Sequence, residues 1–181
     1  VAITTIGHGT LTEDQFGVLV TDAGIDVVVD VRRRPGSRRH PQFNRGDLER
    51  WLPEYGVAYE WQEILGGHRE AVPGSPNIAL DDPFRGYADH MGTWGFASGL
   101  DHVCAGGQDR HVAVLCAERD WQRCHRRLVA DALVLLRRAD VEHLGHDGSR
   151  TPHRPTPAAR VTSGRLVYDR GVTPPLLATG V

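Results

Sequence analysis

The run IDVVVDV, residues 25–31, constrains the fold more than any other stretch of the chain. Its apolar, β-branched residues are consecutive rather than alternating, and such a strand is stable only where both of its faces are covered. A central strand of a parallel sheet meets that condition, and parallel neighbours require crossover connections, usually helices. The rest of the chain supplies both kinds of segment. AITTIGHG (2–9), VAYEW (57–61), HVAVLCAE (111–118) and VEHL (141–144) are further strand candidates. Helical patterning fills the spaces between them: residues 12–23 with Thr12 as N-cap, a short helix near 46–55, then 83–91, 95–105 and CHRRLVADALVLLRR (124–138), whose Leu128, Ala132, Leu135 and Leu136 recur with a helical period. Strands separated by helices predict a three-layer α/β domain over residues 1–144, with a mostly parallel central sheet of about five strands and right-handed crossovers.

After Leu144 the pattern changes. Residues 145–181 hold five of the eleven prolines and little periodicity outside RLVYD (165–169), so they read as an extended Pro/Gly-rich C-terminal arm, packed on the domain or on a neighbouring subunit. A homodimer stays open on that reading. Apolar residues make up 40% and charged residues 24%, a globular balance, and no run has the length of a membrane span. The opening VAITTIGHGT has neither a basic leader nor a long apolar core, and three cysteines are too few and odd in number for a disulfide framework. A cytoplasmic protein with reduced thiols is therefore expected, with no membrane partner. All 21 cationic residues are arginine, which excludes a lysine Schiff base or a P-loop lysine.

Open α/β sheets bind ligands beyond the carboxyl ends of their strands, and the polar residues of this chain collect at those ends. The first strand ends in GHGT (7–10), the second in DVRRRPGSRR (30–39), the fourth in CAE (116–118), and the last helix opens with CHRR (124–127). Asp30 interrupts an apolar strand and Arg32, two residues on, points to the same side, so the two form either a structural pair or part of a binding site. His8, between glycines, suits a base, a ligand or a bond to a neighbouring loop. The arginine-rich loop after the second strand, with Arg32, Ser37 and Arg38, suits phosphate, with Phe43 or His40 placed to stack on a base. The acidic residues Asp81, Asp82 and Asp89 are the internal alternative partners for that charge.

The stretch VLCAERDWQRCHRRL (114–128) allows three chemistries. Zinc would draw on Cys116, Cys124 and His125 with His8 or His143, but the C-x7-C-H spacing is not that of a zinc finger, and no resident cofactor is expected. A thiol nucleophile fits Cys124, placed at a helix start beside His125 and Arg126, where dipole and charge favour the thiolate. The structural alternative buries Cys116 and Cys104 in the core and leaves Glu118 pairing with Arg126 or Arg127. Tyr87 and His90, in GYADHM (86–91), share a helix face that lines either the site or the core.

Taken together, TIGHGT, VVDVRRRPGSRR followed by FN, LGGHR, GYADHM, VLCAERDWQRCHRRLVADAL and VEHL resemble the microbial family called domain of unknown function 488, over residues 3 to 144. The resemblance implies an α/β fold and an enzyme-like polar site at His8, Asp30, Arg32, Ser37, Tyr87, Cys116, Glu118, Cys124, His125 and Arg126, without supplying a reaction. The leading expectation is an enzyme acting on nucleic acid, a nucleotide or another phosphate-bearing small molecule, by hydrolysis or glycosidic-bond cleavage. In that reading Asp30 or Glu118 is the general acid or base and the arginines hold phosphate. Thiol-dependent redox or sulfurtransferase-like chemistry and a non-catalytic metal- or nucleic-acid-binding domain are the alternatives.

Overall fold

A computed structural model describes residues 1–172. The five expected strands form β1 (Ala2–Gly7), β2 (Val27–Asp30), β3 (Ala58–Trp61), β4 (Val112–Cys116) and β5 (Asp140–Leu144). All five pair in parallel, and a sixth strand, β6 (Arg150–Pro152), joins antiparallel to β5, giving the order β3-β2-β4-β1-β5-β6. The sheet therefore has one strand more than expected, contributed by the segment read as an arm. That segment continues into a hairpin, β7 (Ala159–Thr162) and β8 (Arg165–Tyr168), which packs on its own chain. Residues 173–181, the end of the expected arm, lie outside the described part.

The sheet is covered on both faces, as the consecutive valines of β2 require. On one face Val28, Ala113 and Leu115 meet α1 (Glu13–Asp22) and α2 (Arg45–Trp51) through Phe16, Val20, Leu48 and Trp51. On the other, Val27, Val29, Val112 and Val114 meet α3 (Phe84–Met91), α4 (Trp94–Gly106) and α5 (Arg126–Arg137). Thr12 caps α1 as expected: its hydroxyl accepts from the Gln15 amide and the Gln15 side chain accepts from the Thr12 amide. Among the described residues no helix is long and apolar enough to cross a membrane.

This topology opens a crevice. The connection after β2 leads to α2 on one face, and the connection after β4 leads to α5 on the other, although β2 and β4 are neighbours. Diverging connections between adjacent parallel strands leave their carboxyl ends uncovered between them. The closing turn is held over β1 by a glycine: a Cβ on Gly7 would collide with the Glu118 carbonyl oxygen and lie 2.6 Å from the Arg126 guanidinium.

Candidate active site

The crevice is a cleft of about 750 Å³ with three walls. Arg32, Arg33 and Arg34 come from the end of β2. Cys116, Glu118, Arg123, Cys124 and His125 come from the turn between β4 and α5, and Gly67, His68, Phe84 and Tyr87 from the loop before α3 and from α3 itself. Two of the expected walls, the second-strand loop and the CAE/CHRR segment, thus face each other. The third, carrying the Gly66–Gly67 pair, was legible only as part of the LGGHR motif.

The second-strand loop reaches the cleft with its first arginines alone. The Ser37 amide donates to the Asn44 side chain, the Arg45 amide donates to the Pro35 carbonyl, and the Ser37 hydroxyl accepts from the amides of Arg39 and His40. These bonds fold residues 35–44 into a compact turn, so Ser37 and the exposed Arg38 do not line the cleft. Phe43 is fully buried and stacks on His8 with ring centroids 4.2 Å apart, which removes it as a platform for a base. Asp89 accepts from Ser75, Asn77 and the Val72 amide and pairs with none of the arginines. The alternative in which Asp81, Asp82 and Asp89 neutralise the loop is not realised, since none of the three forms an ion pair with it among the described residues. Glu49 and Asp47 pair instead with Arg45 and Arg50 on α2.

Asp30 and Arg32 form the structural pair. The Arg32 guanidinium donates to both oxygens of Asp30 and to the Phe43 carbonyl, the Arg32 amide donates to Asp30, and the Tyr59 hydroxyl completes the carboxylate's shell at 2.9 Å. Burial opposes the Arg32 charge, but the bonds and charge of Asp30 outweigh it and hold its pKa above the ordinary value. The carboxylate is fully buried and its bonds all run to Arg32 and Tyr59, so the structural role that the sequence allowed for the pair is the one its contacts describe. His8 is also buried: burial, then the Arg32 charge, lowers its pKa to about 4 and keeps the imidazole neutral at neutral pH.

The turn after β4 builds the opposite wall. Asp120 caps a short 3-10 turn at Trp121–Arg123, which places Cys124 in extended backbone and makes His125 the N-cap of α5. Cys124 and His125 therefore precede the helix that they were expected to start. Arg126, almost fully buried, donates to the carbonyls of Glu118 and Arg119 and fixes the turn. It makes no contact with the Glu118 carboxylate, so the expected pair between them is not formed. Glu118 is exposed at the cleft rim, with no side-chain partner among the described residues.

Two sulfurs and one nitrogen meet at the floor. Cys116 Sγ and Cys124 Sγ each lie 3.7 Å from His125 Nδ1, and the three atoms lie within 4.8 Å of one another. His125 Nε2 is 3.1 Å from the Val31 carbonyl, which can only accept, so the proton of the neutral ring is assigned to Nε2 and the Nδ1 lone pair faces the sulfurs. Bonding with Cys116 pushes the Cys124 thiol well below its ordinary pKa against the effect of burial, with the Arg126 charge assisting. Cys116 goes well above, through the same pairing and through burial. Tyr87 packs its ring edge-on to His125 at 5.1 Å and donates its hydroxyl to the Leu65 carbonyl, so it shapes the floor from the core side. Cys104 packs beside the core on α4, away from the cleft.

In comparisons with known proteins, residues 13–133 match the family described as Domain of unknown function DUF488. No curated protein and no solved structure matches.

Proposed function

The chain belongs to the DUF488 family, and as that membership brings no reaction with it, we propose from the site itself an enzyme acting on a phosphate-bearing substrate, a nucleotide or nucleic acid, by hydrolysis or glycosidic-bond cleavage. One observation carries the reading: Arg32, Arg33, Arg34 and Arg123 line a single cleft against one carboxylate, Glu118. Arg32 is already committed to Asp30, while Arg33 donates to the His68 carbonyl, and Arg34 and Arg123 have no ionic partner among the described residues. Planar guanidiniums without carboxylates suit phosphate oxygens, which they bind through paired N–H donors. A volume of about 750 Å³ lies in the range of small-ligand sites and accommodates a nucleotide. Exposure of Glu118 at the rim supports it as the proton-transfer group of this reading, whereas Asp30 is buried.

Binding of labelled single- and double-stranded oligonucleotides and of a mononucleotide, followed across a salt series, tests the reading. Affinity that falls with salt and weakens when Arg34 and Arg123 are replaced supports it; absent or salt-independent binding overturns it.

The pairing of Cys116 and Cys124, with the Cys124 thiol held below its ordinary pKa, favours a second reading, thiol-dependent redox or sulfur-transfer chemistry. Alkylation of Cys124 no faster than that of a free model thiol near neutral pH would exclude it.

A further inference from the structure

We propose that Cys116 Sγ, Cys124 Sγ and His125 Nδ1 are the three protein ligands of a divalent metal ion of the zinc class, whose fourth position opens into the arginine cleft. The site lies within the cleft of the proposed function, but its occupancy does not depend on that function being right.

The geometry leads to it in three steps. First, one lone pair on Nδ1 faces two sulfurs at equal distances of 3.7 Å, and it accepts from one thiol at a time. A cation bonded to all three atoms removes that shortfall. Second, an ion with Zn–S near 2.3 Å and Zn–N near 2.0 Å in tetrahedral geometry sets its sulfur and nitrogen ligands about 3.5 Å apart, close to the spacing found. Third, the nitrogen turned away from the sulfurs donates to the Val31 carbonyl, the outer bond that fixes tautomer and ring orientation in metal-bound histidines.

The surroundings fit the same ion. Two thiolates and a neutral imidazole around a divalent cation sum to zero charge, which suits a floor where Cys116 and Cys124 are 7% and 3% exposed. Gly67 borders the ligand nitrogen: a Cβ there would lie 3.0 Å from Nδ1, so the glycine keeps that side open. Neither histidine expected as a fourth ligand is free. His8 is engaged by Arg32 and the Gly9 carbonyl, and His143 by Thr5 and His153. The position left over faces the cleft, the arrangement of three protein ligands plus an exchangeable one that marks catalytic rather than structural zinc. An exchangeable water or a phosphate oxygen of the substrate is the chemistry that would occupy it.

Elemental analysis of protein purified without chelator, then cobalt titration of chelator-stripped protein, tests the site. One metal ion per chain is expected, with cobalt producing thiolate-to-metal charge-transfer absorption and the intense visible bands of a four-coordinate ion. Cys116→Ser and Cys124→Ser are each expected to lose stoichiometric metal and most of that absorption. A wild-type protein that carries no metal and gives no charge-transfer band with cobalt overturns the proposal, as does metal retained unchanged in both variants or a Cys116–Cys124 disulfide in the purified protein. The wild-type cobalt titration stands even if a variant does not fold. Phosphate and oligonucleotide binding by the stripped protein is measured in parallel; salt-dependent binding without metal uptake sinks the metal site alone, and metal uptake without anion binding sinks the substrate reading alone.

Discussion

Arg126 and Asp131 are buried on the same helix without touching, and a single file of hydrogen bonds joins them through Thr5, His143 and His153. Arg126 donates to the Thr5 hydroxyl, Thr5 to His143 Nδ1 at 2.7 Å, His143 Nε2 to His153 Nδ1 at 2.9 Å and His153 Nε2 to Asp131 at 2.9 Å. The direction is fixed at its ends, because a guanidinium only donates and a carboxylate only accepts. Tyr168 and the Thr156 amide also donate to Asp131, and Trp121 stacks on His143 at 3.8 Å. A buried cation and a buried anion are thus each compensated at a distance, with β1, α5, β5 and β8 tied in one network.

Replacing Asp131 by alanine leaves donors from His153, Tyr168 and Thr156 without their acceptor. A loss of about 3–5 kcal/mol of stability is expected, against about 1–2 kcal/mol for Thr5→Val. Urea unfolding followed by circular dichroism measures both, and equal costs would contradict the relay.

Acid should weaken the fold before it unfolds most carboxylate-dependent structure. The folded pKa of His8 is lowered to about 4, so between that value and its unfolded value near 6.5 the unfolded chain binds more protons than the folded one. Stability due to His8 is complete above about pH 6.5 and declines as pH falls toward 4, by about 2 kcal/mol between pH 7 and pH 5. His143, lowered to about 3 by burial and then by His153, acts in the same direction. Urea midpoints at the two pH values measure the effect, and His8→Gln is expected to reduce the difference.

The cleft distinguishes arginines that the sequence presents alike. Arg34→Ala and Arg123→Ala should each weaken phosphate or oligonucleotide binding about tenfold and flatten the salt dependence, with stability changed by less than about 0.5 kcal/mol. Arg38→Ala, outside the cleft, should do neither. Fluorescence anisotropy with a labelled oligonucleotide separates the three.

Gly7→Ala introduces a methyl group where the Glu118 carbonyl and the Arg126 guanidinium close over β1. The backbone must move, so a cost of about 2–3 kcal/mol is expected together with loss of anion binding, because Arg123 and Glu118 ride on the displaced turn. Gly24→Ala, which meets nothing within 4 Å but has a φ of +67°, costs less, about 1 kcal/mol, and leaves binding intact.

The order of strands and helices was legible because each rests on a local pattern: consecutive valines in β2, the Thr12 N-cap of α1, the apolar face of α5. β6 was not, since RTP is three residues long, ends in proline and owes its strand conformation to pairing with β5. The pairing of the two opposing walls was also foreseeable, as both follow the carboxyl ends of strands in one parallel sheet. Which loop residues reach the cleft was not foreseeable. Phe43, Ser37 and Arg38 differ from Arg33 and Arg34 only through the turn that Asn44 and Pro35 close, and that turn depends on side-chain bonds with no periodic signature. Asp131 interrupts the apolar face of α5 with no local partner in the sequence, because its partners lie on distant parts of the chain.

The C-terminal hairpin sets the order in which this protein can finish folding as it is synthesised. The Tyr168 hydroxyl and the loop around Thr156 supply donors that Asp131 needs, and the Tyr168 amide donates to the Asn77 side chain while its carbonyl accepts from the Ala79 amide, just before α3. While these residues are still inside the ribosome, the sheet and α5 can assemble but the carboxylate at their centre is short of partners. The nascent chain therefore carries an unfinished core until its last described strand emerges, and a truncation before that point preserves every residue of the cleft while leaving the core beneath it incomplete.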